Sequence, residues 1–293
     1  MNSLAADLPA QSVEVRRLDT PAEYLEVESV QREAWGFPTY PLIHVPIQRA
    51  LNDNGGLVLG AFAGTELIGF SLGFLGREEG RRFHYSHMTG VRPSWQRRHV
   101  GLSLKLRQRE EVLHQGLDEI RWTYDPLQTK NASLNVRRLG GTPDRYLPRY
   151  YGEMADGINR GLDTDRVRLV WRLRDPHVEE RLRRPLLRPG QAEERLARSE
   201  TLIETALGPT GIRRPVDLRA PTSPSLNLEI PFELTALRAH DRADPQRWRE
   251  ATRAAFTRAL AEGYAVDDFA VVNVRNERRS FYFLERGSGA HGD

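Results

Sequence analysis

The chain has 293 residues and no cysteine. That absence excludes disulfides, zinc held by thiolates and any thiolate nucleophile. Lysine is nearly absent too: Lys105 and Lys130 are the only two among 43 basic residues, and the rest are arginine. No run approaches 18 apolar residues, and the first residues lack a basic stretch followed by an apolar core. Neither a membrane span nor a secretory leader is therefore expected, and the reading is a cytoplasmic protein that does not engage a membrane. A strong excess of either charge sign is also missing, since 40 acids face 43 bases for a net charge of +3. The pI of about 9.3 follows from arginine, which titrates only far above neutrality, and does not require a basic face. Arginines alternate with acids along the whole sequence, which reads as a coding bias and argues against a nucleic-acid partner. RNA or ribosome association stays as a minor alternative resting on arginine content alone.

An apolar content of 39% with 28% charged residues describes a soluble globular chain, long enough for one large domain or two smaller ones. Residues 12–18 alternate as a first strand. Asp19 or Thr20 then caps a helix with Pro21 in its first turn, running to about Trp35 with Tyr24, Val27, Val30, Gln31 and Ala34 along one side. Gly36-Phe37-Pro38 ends it, and a short helix is expected over 47–52. Residues 57–63 and 66–74 form an antiparallel hairpin at Gly64-Thr65. Within it Gly69-Phe70-Ser71-Leu72-Gly73 formally matches a nucleophile elbow, but the strand continues through, so that reading is rejected. A charged connection at 77–82 leads to a strand over 83–91, which Pro93 ends. From Gly101 a helix is expected with Leu102, Leu106, Leu113 and Leu117 inward and Arg107, Arg109, Glu110 and Glu111 outward. Between strand and helix lies Gln96-Arg97-Arg98-His99-Val100-Gly101, a basic turn at a helix N-terminus, whose unpaired N–H groups suit a phosphate.

Residues 119–125 read as a strand stopped by Pro126, 131–139 as a helix ended by Gly140-Gly141, and 165–174 as another strand. Helix is expected around 191–207, and a proline-rich linker over 208–225. A strand at 225–230, a helix at 245–262 ended by Gly263, and a hairpin of 269–274 with 280–284 over residues 275–278 complete the chain. The expected organisation is a tail (1–11), a first domain (12–175), a helical and proline-rich connection (176–224) and a small α/β unit (225–293), whose similarity to the first sheet is too weak to establish a repeat.

The segment VRPSWQRRHVGLSL resembles the acyl-CoA-binding motif of the GNAT (Gcn5-related N-acetyltransferase) superfamily, Gln/Arg-x-x-Gly-x-Gly/Ala after a strand ending in Val-x-Pro. Val91, Pro93, Gln96 and Gly101 match, whereas His99 stands where the family has its first glycine. NASLNVRRLGG is similar to the second motif, and the order of elements through residue 174 is the family's order. Together with the residues up to 166, it resembles a little-characterised branch of predicted acetyltransferases with a C-terminal extension. The resemblance implies an α/β (α+β) fold with a mixed, mostly antiparallel central sheet flanked by helices, joined by a second, smaller α/β unit. It implies acyl transfer from acetyl-CoA or another acyl-CoA to an amine on a small molecule or peptide, directly in a ternary complex and without a metal. The absent cysteine excludes an acyl-cysteine route.

By that resemblance Gln96, Arg97, Arg98, His99, Val100, Gly101, Leu102 and Ser103 meet the pyrophosphate, and Asn131 meets the pantetheine or pyrophosphate arm. Strands 83–91 and 119–125 splay to admit the arm, with Met88, Thr89 and Val91 among the cofactor-binding residues, the thioester near residues 86–90 and an oxyanion donor in the backbone at 88–90. The base candidates on this strand are His84 and His87, which face opposite sides of it, His87 lying nearer the expected thioester; Asp125 is the alternative. Val136 occupies the place of the family's tyrosine acid, which leaves Tyr146, Tyr150 and Tyr151, with Tyr151 preferred. Trp35, Phe37, Tyr40 and His44 are candidates for the acceptor wall. Asp163-Thr164-Asp165 reads as loop capping and not as a metal site. The departures at His99 and Val136 motivate the alternative, a catalytically silent acyl-CoA-binding module. A homodimer and the role of 176–293 are left open.

Overall fold

The computed structural model describes residues 12–36, 42–152, 161–183, 190–208, 211–240 and 243–287. Phe37, Tyr40 and the tail at 1–11 lie outside the described residues. By packing the chain divides into two compact units after Ile120.

The first unit comprises β1 (Val13–Arg17), α1 (Pro21–Trp35), α2 (Val45–Asp53), β2 (Leu57–Ala63), β3 (Glu66–Glu78), β4 (Arg81–Val91) and α3 (Val100–His114). The strands lie in the order β1-β2-β3-β4, each pair antiparallel. Thr20 starts α1 with a capping box: its hydroxyl accepts from the Glu23 N–H at 3.3 Å, and the Glu23 carboxylate accepts from the Thr20 N–H at 3.0 Å. Tyr24, Val27 and Val30 on α1 pack with Val58, Phe70, Leu72 and Met88 of the sheet. β3 runs unbroken through Gly69 and Gly73, in keeping with rejection of a nucleophile elbow. The expected loop at 77–82 is mostly strand: Arg77 pairs with Arg82 and Glu78 with Arg81, around a turn at Glu79 and Gly80 with φ of 50° and 80°.

The leucine spacing picked the wrong face of α3. Val100, Leu104, Lys105, Gln108 and Val112 are buried, Leu102, Leu106 and Leu113 are only half-buried, and Leu117 lies past the helix end. The true inner stripe carries a lysine and a glutamine, so counting apolar residues passes over it.

The second unit begins within β5 (Glu119–Tyr124) and continues through α4 (Thr129–Ala132), which runs directly into a π-helical segment at Ser133–Arg138. There follow β6 (Thr142–Leu147), β7 (Arg166–Arg172), α5 (Pro176–Arg183), α6 (Gln191–Arg198), β8 (Glu200–Thr201), β9 (Ile203–Leu207), β10 (Arg213–Leu218), β11 (Ser225–Ile230), α7 (Leu234–His240), α8 (Asp244–Ala261), β12 (Tyr264–Val274) and β13 (Glu277–Arg286). β5, β7 and β6 are neighbours in that order, β9 and β10 form a two-stranded sheet, and a four-stranded sheet has the order β12-β13-β11-β8. Two expectations change here. The helix near 191–207 stops at Arg198 and gives way to β8 and β9, and the proline-rich linker contains β10, paired with β9. Pro215 is tolerated there because it sits beside a register shift between Pro215 and Asp217. The hairpin of β12 and β13 turns at Arg275-Asn276, with φ of 51° and 67°. The whole is an α/β fold with a large, mostly antiparallel sheet flanked by helices. Among the described residues no helix is long and apolar enough to cross a membrane.

Candidate active site

β3 and β4 pair from Gly69 with Val91 to Leu72 with Met88, and pairing resumes with Gly73 opposite Ser86, leaving His87 extra. One added residue is a β-bulge, which bends the strand, loosens its ladder and re-aims neighbouring side chains. Met88 packs inward with Val27, Val30 and Phe70. His87 is exposed, with its ring 6.1 Å from Phe74 and 6.4 Å from Tyr85. Desolvation by its surroundings lowers its pKa from the ordinary imidazole value, so at pH 7 the ring is neutral and able to accept a proton. His84 does point the other way, fully buried against Gln108 of α3. Met88 and Thr89 do not offer side chains to a ligand: Met88 belongs to the core, and the Thr89 hydroxyl lies 3.1 Å from that of Ser71.

The turn after β4 is held firmly at its start. Gln96 reaches back to the Val91 carbonyl at 3.4 Å. Arg92 donates to the Leu67 carbonyl at 2.7 Å and pairs with Glu26 at 3.2 Å and with Glu33, which removes it as a phosphate ligand. A 3₁₀ turn at Pro93–Trp95 follows, with the Arg98 guanidinium 4.9 Å from the Trp95 ring. Arg97 and His99 take φ of 65° and 60°, the left-handed region. At His99 that angle explains why a glycine suits the position, because only glycine adopts it without a Cβ penalty. The His99 side chain is exposed and makes no capping hydrogen bond. The Ser103 N–H closes on the His99 carbonyl at 3.0 Å, and the Ser103 hydroxyl donates to the same oxygen at 3.3 Å. Val100, Gly101 and Leu102 precede that bond in the first turn, where N–H groups have no intrahelical acceptor and the helix dipole is positive. Gln96, Arg97 and Arg98 are exposed around it, while the Val100 side chain is buried.

Beneath the strand lies a group that residue patterns did not pick out. The Lys105 ammonium on α3, 4% exposed, donates to the Ser86 hydroxyl at 2.8 Å and the Gln108 carbonyl oxygen at 3.1 Å. The Gln108 amide donates to Ser71 at 3.1 Å and lies 3.3 Å from the His84 ring. Burial brings the Lys105 pKa down to about 7, and burial with the Lys105 charge nearby brings His84 down to about 3. The one available signal was compositional: a chain that uses arginine almost everywhere keeps lysine at 105. A compact ammonium fits a closed site that a five-donor guanidinium would not.

In the second unit the remaining candidates separate. Asp125, offered as a base, is 6% exposed and bound in bidentate fashion by Arg249 of α8 at 2.7 and 2.9 Å. Although burial opposes it, that partner holds the carboxylate below its ordinary range. A carboxylate so occupied is a structural anion, and the expectation of a catalytic base fails at Asp125. Tyr146 donates to Asp165 at 2.7 Å, and Arg253 bridges Asp163 and Asp165, so the Asp163-Thr164-Asp165 carboxylates close a loop onto α8. Tyr151 is exposed, with its hydroxyl 3.3 Å from Thr123, its ring 4.7 Å from Tyr150 and the Arg166 guanidinium 5.2 Å above it. Asn131 is exposed on α4, while Val136 is 1% exposed on the inner side of the π-helical segment. Of the acceptor-wall candidates, Trp35 covers Gly90 of β4 and meets Phe70 edge-on at 6.1 Å. His44 caps α2 and lies 3.2 Å from Glu28.

No family model and no curated protein matches the chain. Solved structures do. The ribosomal-protein-S18-alanine N-acetyltransferase from Escherichia coli is 13% identical, with 55% of this chain and 94% of that chain covered and a TM-score of 0.45. An acetyltransferase of the GNAT family from Streptococcus pneumoniae is 14% identical over 54% of this chain and 98% of that one, with a TM-score of 0.44. PaiA N-acetyltransferase from Thermoplasma acidophilum, in complex with coenzyme A, is 17% identical over 55% of this chain and 99% of that one, with a TM-score of 0.40. At such identities the likeness concerns fold alone. In fold, the chain is similar to acetyltransferases of the GNAT family.

Proposed function

We propose that the protein transfers an acetyl or other acyl group from acyl-CoA to an amine, in a ternary complex, with residues 12–175 as the acyl-CoA-binding part. The observation that carries this reading is a bulged strand leading through an exposed basic turn into the left-handed start of α3. The pyrophosphate is met by the N–H groups of the first turn of α3 and by Arg97 and Arg98, with Gln96 shaping the approach. The thioester lies along the backbone of β4 around the bulge, where amide dipoles can receive the oxyanion.

In this reading the acceptor nitrogen attacks the thioester carbon. His87, neutral at pH 7, takes the proton that the nitrogen loses. The C–S bond then breaks, and the departing thiolate takes a proton from solvent, leaving an amide and free CoA. Asp125 has no part in it. The acceptor is an amine on a small molecule or a peptide.

A second reading is supported by Val136, whose buried side chain can donate no proton: an acyl-CoA-binding module without turnover. Calorimetry with acetyl-CoA tests the shared premise, since wild-type protein is expected to bind at least about tenfold more tightly than Gly101→Glu, a difference of about 1.4 kcal/mol. Equal weak heats from both proteins would remove the site. Binding without turnover across a broad amine panel would select the second reading.

A further inference from the structure

Three residues of β4 around the bulge are gripped from beneath by one connected set of polar groups. Before the bulge, Ser86 accepts from the Lys105 ammonium at 2.8 Å and His84 lies 3.3 Å from the Gln108 amide. Beyond it, the Thr89 hydroxyl lies 3.1 Å from Ser71, which itself accepts from Gln108 at 3.1 Å. Lys105 and Gln108 stand three residues apart on the inner face of α3 and are joined at 3.1 Å. The extra residue, His87, is therefore flanked on both sides by strand positions tied to the same helix.

The arrangement is expensive. A buried ammonium loses its hydration, which its hydrogen bonds to groups of the protein have to replace. An apolar stripe on α3 would join helix to sheet at lower cost, and Leu104 beside Lys105 does so already. What the polar set adds is direction. Hydrogen bonds select one position for Ser86 and one for Thr89, whereas apolar packing tolerates sliding. A bulge is the place in a ladder where sliding is easiest, because one residue has no partner to fix it.

We propose that Lys105 is a positioning residue: by holding Ser86 it keeps the bulge at His87 in a single geometry. Its consequence for catalysis rests on the acyl-transfer reading, because there the loosened backbone beside His87 receives the thioester. The positioning itself does not rest on that reading. It is tested on the protein without ligand, by backbone amide hydrogen exchange at His87 and Met88 in wild type, Lys105→Met and Ser86→Ala. Both variants are expected to raise exchange at those two amides by about tenfold or more while the β2 amides keep wild-type protection. Ser86→Thr, which keeps the hydroxyl, is expected to retain wild-type protection at the bulge. Wild-type exchange at the bulge in both variants overturns the proposal, and so does a uniform loss of protection across β2, β3 and β4. Ser86→Ala, the smaller change, decides the matter should Lys105→Met fail to fold. Where wild type turns over acetyl-CoA with an amine, Lys105→Met is expected to lower kcat about tenfold with KM for acetyl-CoA unchanged. A wild-type protein that binds no acetyl-CoA removes the acyl-transfer reading and leaves the exchange result standing.

Discussion

At His99 the backbone adopts φ 60° and ψ 7°, a conformation that costs a residue with a Cβ roughly 1–2 kcal/mol. Glycine removes that term but adds about 0.5–1 kcal/mol of unfolded-chain entropy. His99→Gly is therefore expected to leave the unfolding free energy from urea titration within about 1 kcal/mol of wild type, and His99→Val to lose about 1–2 kcal/mol, since a β-branched residue is the least suited to positive φ. Asp125 makes the opposite kind of case. Its carboxylate and the Arg249 guanidinium are both buried and bonded to each other, so Asp125→Asn strands a charge. A loss of about 3–5 kcal/mol is expected from chemical denaturation. The residue-level reading of the sequence singled out His87, the departure at His99 and the basic turn as candidates, because each is announced by neighbours in the chain. It misjudged Asp125, because the arginine that neutralises it lies 124 residues away. It passed over Lys105, Ser86 and Gln108 because periodicity counts apolar side chains only.

Elements fared according to how local their causes are. α1 was legible to its cap, since Thr20, Pro21 and Glu23 act within one turn. The antiparallel hairpins of β2 with β3 and of β12 with β13 were legible from their turns. α3 was legible as a helix and not in its orientation, which is set by what β3 and β4 present to it. This separates two similar substitutions. Leu104 is fully buried, and Leu104→Ala is expected to cost about 2–5 kcal/mol. Leu102 is half-buried, and Leu102→Ala is expected to cost less than about 1.5 kcal/mol on the area it covers. Thermal unfolding of the two variants side by side checks the order, and equal losses would mean that α3 packs on its leucine face after all. β10 was hidden by Pro215, a residue that demotes a strand unless an irregularity makes room for it. The π-helical stretch at Ser133–Arg138 left no mark that the sequence motif could carry, because its i+5 bonding depends on packing and not on composition.

Among the described residues many arginines are occupied within the chain. Arg92, Arg213, Arg249, Arg253 and Arg279 each pair with a carboxylate, which fits the reading of the high pI as a matter of residue choice. The buried titratable groups make stability depend on pH in one direction. Asp125 and Asp165 have lowered pKa values in the fold, so the stability they supply is present above about pH 4 and is lost on further acidification. His84, lowered to about 3, is neutral in the fold and protonated in the unfolded chain between there and about pH 6.5, so stability climbs with pH in that window. Lys105, lowered to about 7, does the same between neutrality and about pH 10.5, with a slope of at most about 1.4 kcal/mol per pH unit. Denaturation of wild type between pH 7 and 9 is expected to show this rise, and Lys105→Met to abolish it. A wild-type profile flat over that range would contradict burial of the lysine.

The seclusion of Lys105 also bears on chemical self-damage. Reactive thioesters modify amines spontaneously, and guanidiniums, being protonated at all ordinary pH, are poor targets. With one lysine enclosed and only Lys130 open to solvent, the folded chain offers a single side-chain amine to stray acylation. Should it work among acyl thioesters, it would present them with very little of its own to consume.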